Sequence, residues 1–206
     1  MTVNSTEIAS RRKLLISESM KSVKDIISSK GISRDTLAEV KDLVAAMTHE
    51  AELFGESEFP TPKPDELAKI YLLSDEEGGD YSLYLISVLP LGPSPVHDHG
   101  TFAVIAGLDG EEENTIYKRL DDKSVAGEAT LEEDYRVVLK NGDAIAFMPE
   151  DIHHINVVSK KPTRHFHLYG KGFEQQTDRL EFNLKKGTTK SVSGSFIPVD
   201  ESRRVV

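Results

Sequence analysis

The spacing of apolar residues changes once along this chain, near residue 80, from a period of about 3.6 to a period of 2. After that point the alternation predicts strands at 81–90, 101–107, 112–119, 134–140, 143–148, 153–158, 164–169 and 180–185. Turn signals such as Asp109-Gly110, Asn141-Gly142 and Lys161-Pro162 separate them. Asn141-Gly142, between Val137-Val138-Leu139-Lys140 and Ala144-Ile145-Ala146-Phe147, reads as a hairpin turn. Many short strands with no helix between them can close only as a sandwich or a barrel.

The front third has the helical period. Ile8, Leu14, Leu15, Met20, Val23, Ile26 and Ile27 predict a helix from Ser5 to about Gly31. Leu37, Val40, Leu43, Val44 and Met47 predict a second, capped by Ser33 or Asp35 and ending near Gly55. Pro60, Pro62 and Pro64 break regular structure, and 65–70 reads as one more short helical piece. The chain of 206 residues is therefore expected to be one domain, a helical cap over 1–70 on a β-barrel over 71–206. His49, within the cap, reads as a surface or packing residue.

Composition removes several kinds of chemistry. The chain has no cysteine, which excludes disulfides, thiolate nucleophiles, zinc-thiolate sites and iron–sulfur clusters built from its own residues. A formal charge of −10 argues against nucleic acid or anionic membranes as partners. No run approaches the roughly 18 to 20 apolar residues of a membrane span. The first residues show no basic region leading into an apolar stretch, so a cytoplasmic protein is expected.

Six of the seven histidines lie between 97 and 167, in three clusters on expected strands. In Val96-His97-Asp98-His99, residues two apart project to one face, so His97 and His99 offer two imidazoles side by side. Neutral imidazole suits iron, zinc, copper and nickel. In Asp151-Ile152-His153-His154, neighbouring histidines face opposite ways, so one of His153 and His154 enters the barrel. Asp151 could share the face of His153 as a carboxylate ligand. In Arg164-His165-Phe166-His167-Leu168-Tyr169-Gly170, residues 165, 167 and 169 share a face, opposite Phe166 and Leu168. A polar face turned inward is costly unless it is paired, hydrated or bound to metal, which makes a jelly-roll barrel with an internal metal site the expected architecture. Asp98 points away from its neighbours, as a hydrogen-bond partner. The acidic runs Glu111-Glu112-Glu113 and Glu132-Glu133-Asp134 read as solvated turns.

From about residue 70 to about 180 these motifs resemble the cupin superfamily, a mainly β double-stranded β-helix, and within it the thiol dioxygenases. Val96-His97-Asp98-His99 resembles the first metal motif of that family. Asp151-Ile152-His153-His154-Ile155-Asn156 resembles the second, in a register that makes His153 the third ligand. His165-Phe166-His167-Leu168-Tyr169-Gly170 resembles a Ser-x-His-x-Tyr motif that places a tyrosine hydroxyl over the metal, with His165 standing where serine is usual. The glutamate that many cupins carry three or four residues after His-x-His is replaced by Ala103 and Val104, as in the three-histidine thiol dioxygenases.

The resemblance implies an iron(II) enzyme that uses O2 to oxidise a small thiol carboxylic acid to its sulfinate. It implies His97, His99 and His153 as ligands, Tyr169, His167 and His165 as catalytic residues, and Arg179 as the carboxylate anchor. The cysteine-oxidising members place an arginine soon after an upstream tyrosine. Counting from Tyr71, that place falls at about Leu73, so the likeness is to the 3-mercaptopropionate type. Two other readings fit the same residues. One is a different cupin dioxygenase, or an isomerase, using manganese, nickel or zinc. The other is a cupin that binds metal or a small molecule without catalysis. Exposed strand edges would allow a homodimer.

Overall fold

A computed structural model describes residues 5–76, 79–195 and 197–205. The helix α1, Ser5–Lys30, buries one stripe, with Ile16, Met20, Val23 and Ile27 turned inward. It stops at Gly31, whose backbone is left-handed (φ 72) and whose N–H reaches the Ile27 carbonyl at 2.8 Å. The helix α2, Arg34–Met47, starts at Ser33, whose hydroxyl accepts the Thr36 N–H at 3.1 Å. It runs into a 3-10 segment, Thr48–Phe54, that ends at Gly55. Arg12 is buried on α1 beneath this segment. It donates to the Leu53 carbonyl at 2.8 Å and to Glu58 at 2.5 Å, and its guanidinium lies 5.0 Å from the centre of the Phe59 ring. No helix is long and apolar enough to cross a membrane among the described residues.

The described residues form twelve strands: β1 Ala68–Ser74, β2 Asp80–Val88, β3 Val96–His97, β4 Ala103–Asp109, β5 Glu112–Arg119, β6 Leu131–Leu139, β7 Ala144–Phe147, β8 Ile152–Val157, β9 Thr163–Lys171, β10 Arg179–Asn183, β11 Thr188–Val192 and β12 Val199–Asp200. One sheet has the order β12-β1-β2-β9-β4-β7 and the other β11-β10-β3-β8-β5-β6. All pairings are antiparallel except β1 with β12. The chain alternates between sheets from β2 through β5 and again from β6 through β10. That alternation, with β2-β9-β4-β7 in one sheet and β3-β8-β5-β6 in the other, is the eight-stranded jelly roll. The expected double-stranded β-helix with an N-terminal helical part is the fold that forms.

Two local expectations are corrected, and two strands were not read. Asn141-Gly142 makes a turn (Gly142 φ 87), but β6 and β7 lie in different sheets, so the turn is a crossover and not a hairpin. Its Gly142 N–H and Asn141 side chain instead tie to the Gly107 and Leu108 carbonyls at 3.0 and 2.7 Å. Residues 65–70 are not helical. From Ala68 the chain is strand β1, because Ile70 and Leu72 alternate into the interior and pair with β2. The strands β11 and β12, mostly polar and half-exposed, carry too little apolar alternation to be read from sequence.

The strand β9 separates the two larger of the three apolar clusters among the described residues. Phe166 and Leu168 face outward beneath the cap, where Phe166 meets Phe54 edge-on, ring centres 4.8 Å apart. Tyr169, on the other face, joins Ile70, Ile86, Ile105 and Phe147 inside the barrel. The histidines of β9 share that inner face.

Candidate metal centre and cavity

Two short pieces of backbone position the first histidine pair. His97 ends β3 and lies directly opposite His153 of β8. His99 lies beyond the strand, in a loop stitched to β10 by Asp98. The Asp98 carboxylate accepts the Leu180 N–H at 2.8 Å, while its own N–H donates to the Leu180 carbonyl at 3.1 Å. Gly100 closes the loop with φ 62. A side chain there would meet Arg179 N at 3.2 Å.

These contacts bring His97, His99 and His153 together. Their ring centres are 5.1 Å (97–99), 4.6 Å (97–153) and 5.0 Å (99–153) apart, and one nitrogen from each lies within 4.8 Å of the others. All three are buried. His97 Nδ1 contacts the Pro95 carbonyl at 2.9 Å, and His153 Nδ1 the Asn114 side-chain oxygen at 2.9 Å. Both partners accept, so each Nδ1 carries the proton and each Nε2 keeps its lone pair. His153 Nε2 and His99 Nδ1 are buried with no hydrogen-bond partner. Burial, with the nearby Arg179 charge, pushes His97 down to about 3. Burial and the neighbouring histidines push His99 and His153 well below the ordinary range. Buried neutral imidazoles with converging, unused lone pairs form a donor set that fits a metal ion.

Of the adjacent pair, His153 is the one turned inward. His154 faces the other way, its Nδ1 3.0 Å from the Tyr117 hydroxyl. Asp151 is not in the site. Its carboxylate accepts the Met148 N–H at 2.8 Å and holds Arg34 of α2 in a two-pronged ion pair at 2.5 and 2.6 Å. Phe147 walls the centre, with its ring 4.3 Å from that of His153.

Tyr169 and His167 lie inside the barrel beside this centre. The Tyr169 ring is 5.4 Å from that of His99, and its hydroxyl is 3.0 Å from His167 Nδ1. Burial pushes the Tyr169 hydroxyl above its ordinary range and His167 down to about 3. His165 is buried on the same face, its Nδ1 3.3 Å from Glu112 Oε2. That contact is not a formed hydrogen bond, and Glu112 Oε2 is buried without a hydrogen-bond partner.

Glu112 corrects the reading of its acidic run as a solvated turn: it is fully buried at the start of β5. Burial pushes its carboxyl up, but His165, His167 and Asn114 outweigh that and hold it below the ordinary range. Asn114, two residues on, is fully buried and links Glu112 Oε1 (3.3 Å) to His153. Sequence reasoning missed both residues. The available signal was the period-2 placement of 112, 114 and 116 on one face of β5.

Arg179 opens β10 half-buried, and its Nε is buried without a hydrogen-bond partner. It forms no ion pair among the described residues and faces a cavity of about 450 Å³ that also reaches His97, His99, His153 and Tyr169. Leu73, near the place where the cysteine-oxidising proteins carry arginine, is packed beneath the cap instead.

Fold and site together define a jelly-roll barrel with a buried three-histidine group suited to a metal ion. No family model and no curated protein matches the chain. Solved structures that resemble it include an oxalate oxidase in complex with the substrate analogue glycolate, at 17% identity and TM-score 0.42 over 58% of this chain and 59% of that one. The DMSP lyase DddQ from Ruegeria pomeroyi matches at 16% and 0.41 over 59% and 56% of the two chains. A cupin superfamily protein from Desulfitobacterium hafniense matches at 14% and 0.40 over 59% and 86%. The match thus spans less than two thirds of the first two proteins.

Proposed function

We propose that this chain is an iron(II)-dependent dioxygenase that converts the thiol of a carboxylic acid, of which 3-mercaptopropionate is the simplest kind, into a sulfinic acid. The observation that carries the reading is a donor set of three neutral imidazoles, opening with Arg179 onto one cavity. Iron(II) held by three uncharged ligands would keep its full charge, favour a thiolate over a thiol and supply the redox chemistry that O2 requires.

The chain's own residues would do the rest. Arg179, with no carboxylate of its own, pairs with that of the substrate and sets which end faces the histidines. Tyr169 keeps its proton at neutral pH and can receive the His167 N–H while donating its own hydrogen bond into the cavity. His165, fixed against Glu112, sits behind His167 on the same strand. Ile86, Ile105 and Phe173 limit water near the reacting sulfur. In the overall reaction both oxygens of O2 bond to sulfur and the O–O bond breaks. Sulfur loses four electrons and O2 gains four, and the thiol proton ends on the sulfinic acid. No external reductant is needed.

The test is oxygen uptake by the iron-loaded protein against 3-mercaptopropionate, cysteine, cysteamine and a catechol. Uptake matched one-to-one by sulfinate, and absent for cysteamine, which lacks the carboxylate, is the expected result. Absence of uptake with every thiol, from protein holding one iron, would overturn the reading.

A further inference from the structure

The cavity is too large and too apolar for a three-carbon acid alone. At the roughly 30 Å³ that a water molecule takes in the liquid, six non-hydrogen atoms of 3-mercaptopropionate need at most about 180 Å³. That is less than half of the 450 Å³ available. The remaining space has room for about nine further atoms by the same measure.

The walls say what those atoms are. The buried end holds the three histidines, Tyr169 and Ile105, and the single unpaired cation in the lining is Arg179. The lining carboxylate, Glu181, is already paired with Lys190 at 2.6 Å. Beyond Ile86 and Ile155, the cavity reaches Leu91 and Leu67, which are 60% and 67% exposed. Isolated exposed leucines need no explanation, but these two line the same apolar cavity as the half-buried Arg179.

We infer that the substrate is an amphiphile: a thiol carboxylic acid whose charged end meets Arg179 and whose apolar chain or ring, about six to nine carbons, lies against Ile86, Ile155, Leu91 and Leu67. For the thiol this rests on the function proposed above. For the charge and the apolar body it rests on the cavity.

Straight-chain carboxylates without sulfur, from butanoate to decanoate, separate the two. Their binding to the iron-loaded protein is measured by calorimetry under anaerobic conditions. Each added methylene is expected to tighten binding about twofold to fourfold, the range for half to full burial. Arg179→Gln is expected to weaken every member of the series at least tenfold. Leu67→Ser with Leu91→Ser, both on the exposed rim where folding does not depend on them, is expected to remove the steps at the long end. A flat series, or one that stays equally steep in the double variant, would overturn the inference. A steep series lost in the double variant supports it, even if no thiol consumes O2. That combination would refute the proposed reaction and leave the amphiphile assignment standing. Turnover of 3-mercaptopropionate with a flat series would do the reverse.

Discussion

Asn114→Ala isolates the link between β5 and the metal group. The side chain is fully buried. Its oxygen accepts from His153 Nδ1 at 2.9 Å and its nitrogen donates to Glu112 Oε1 at 3.3 Å. Truncation leaves two buried polar atoms without partners, each costing about 1–3 kcal/mol, so the folded protein should lose roughly 2–6 kcal/mol. That loss falls on the metal-free and metal-loaded forms alike and cancels from the affinity. What remains is the orientation and basicity of one imidazole, for which removing such a partner typically weakens metal binding about 10- to 100-fold, or about 1.4–2.8 kcal/mol. Urea melts of the metal-free protein read the first quantity, and anaerobic competition for iron(II) with a chelator reads the second. A variant that is destabilised as expected but binds iron(II) within twofold of the parent would refute the reasoning, because His153 would then not be a ligand oriented by Asn114.

Further outcomes follow from other contacts. His153→Ala is expected to abolish stoichiometric metal binding and His154→Ala to leave it, read by metal content after gel filtration; the opposite pattern would put the outward-facing ring in the site. Phe166→Ala should cost about 3–5 kcal/mol in urea melts, because its ring is fully buried against Phe54 between sheet and cap. Gly107→Ala should destabilise by about 1–3 kcal/mol, since its new carbon would lie 2.2 Å from the Lys140 carbonyl oxygen and two backbones must part. Tyr71 donates to the Pro60 carbonyl at 2.7 Å, and burial, with help from Asp200, pushes its hydroxyl up to about 12. The unfolded chain ionises this group first, so its contribution is intact below about pH 10 and is lost as pH rises through about 12. Tyr71→Phe should flatten that part of the alkaline stability profile.

Most of the site was legible because ligand chemistry is local. Two histidines two residues apart can be placed on one face from spacing alone; spacing leaves His153 and His154 as alternatives, and the strand register, with His97 opposite His153, decides between them. Ser33 was legible as a cap for the same reason, a side chain acting on backbone three residues away. The misreadings all concern partners distant in sequence. Asn141-Gly142 dictates a turn, but whether the next strand joins the same sheet depends on β4, which receives β7. Asp65-Glu66-Leu67-Ala68 has helical composition, yet pairing with β2 outweighs it from Ala68 onward. Glu112 looks solvated within three consecutive glutamates. Only the fold, by placing His165 3.3 Å away in the opposite sheet, makes its burial tolerable.

The most direct test of the central claim is the fate of labelled oxygen. The iron-loaded protein is supplied with ¹⁸O₂ and a thiol acid that it consumes, and the product is weighed by mass spectrometry. The account predicts a sulfinate in which both oxygens are labelled. A sulfinate carrying one labelled oxygen or none, or consumption of O2 that yields disulfide and peroxide instead, would contradict it.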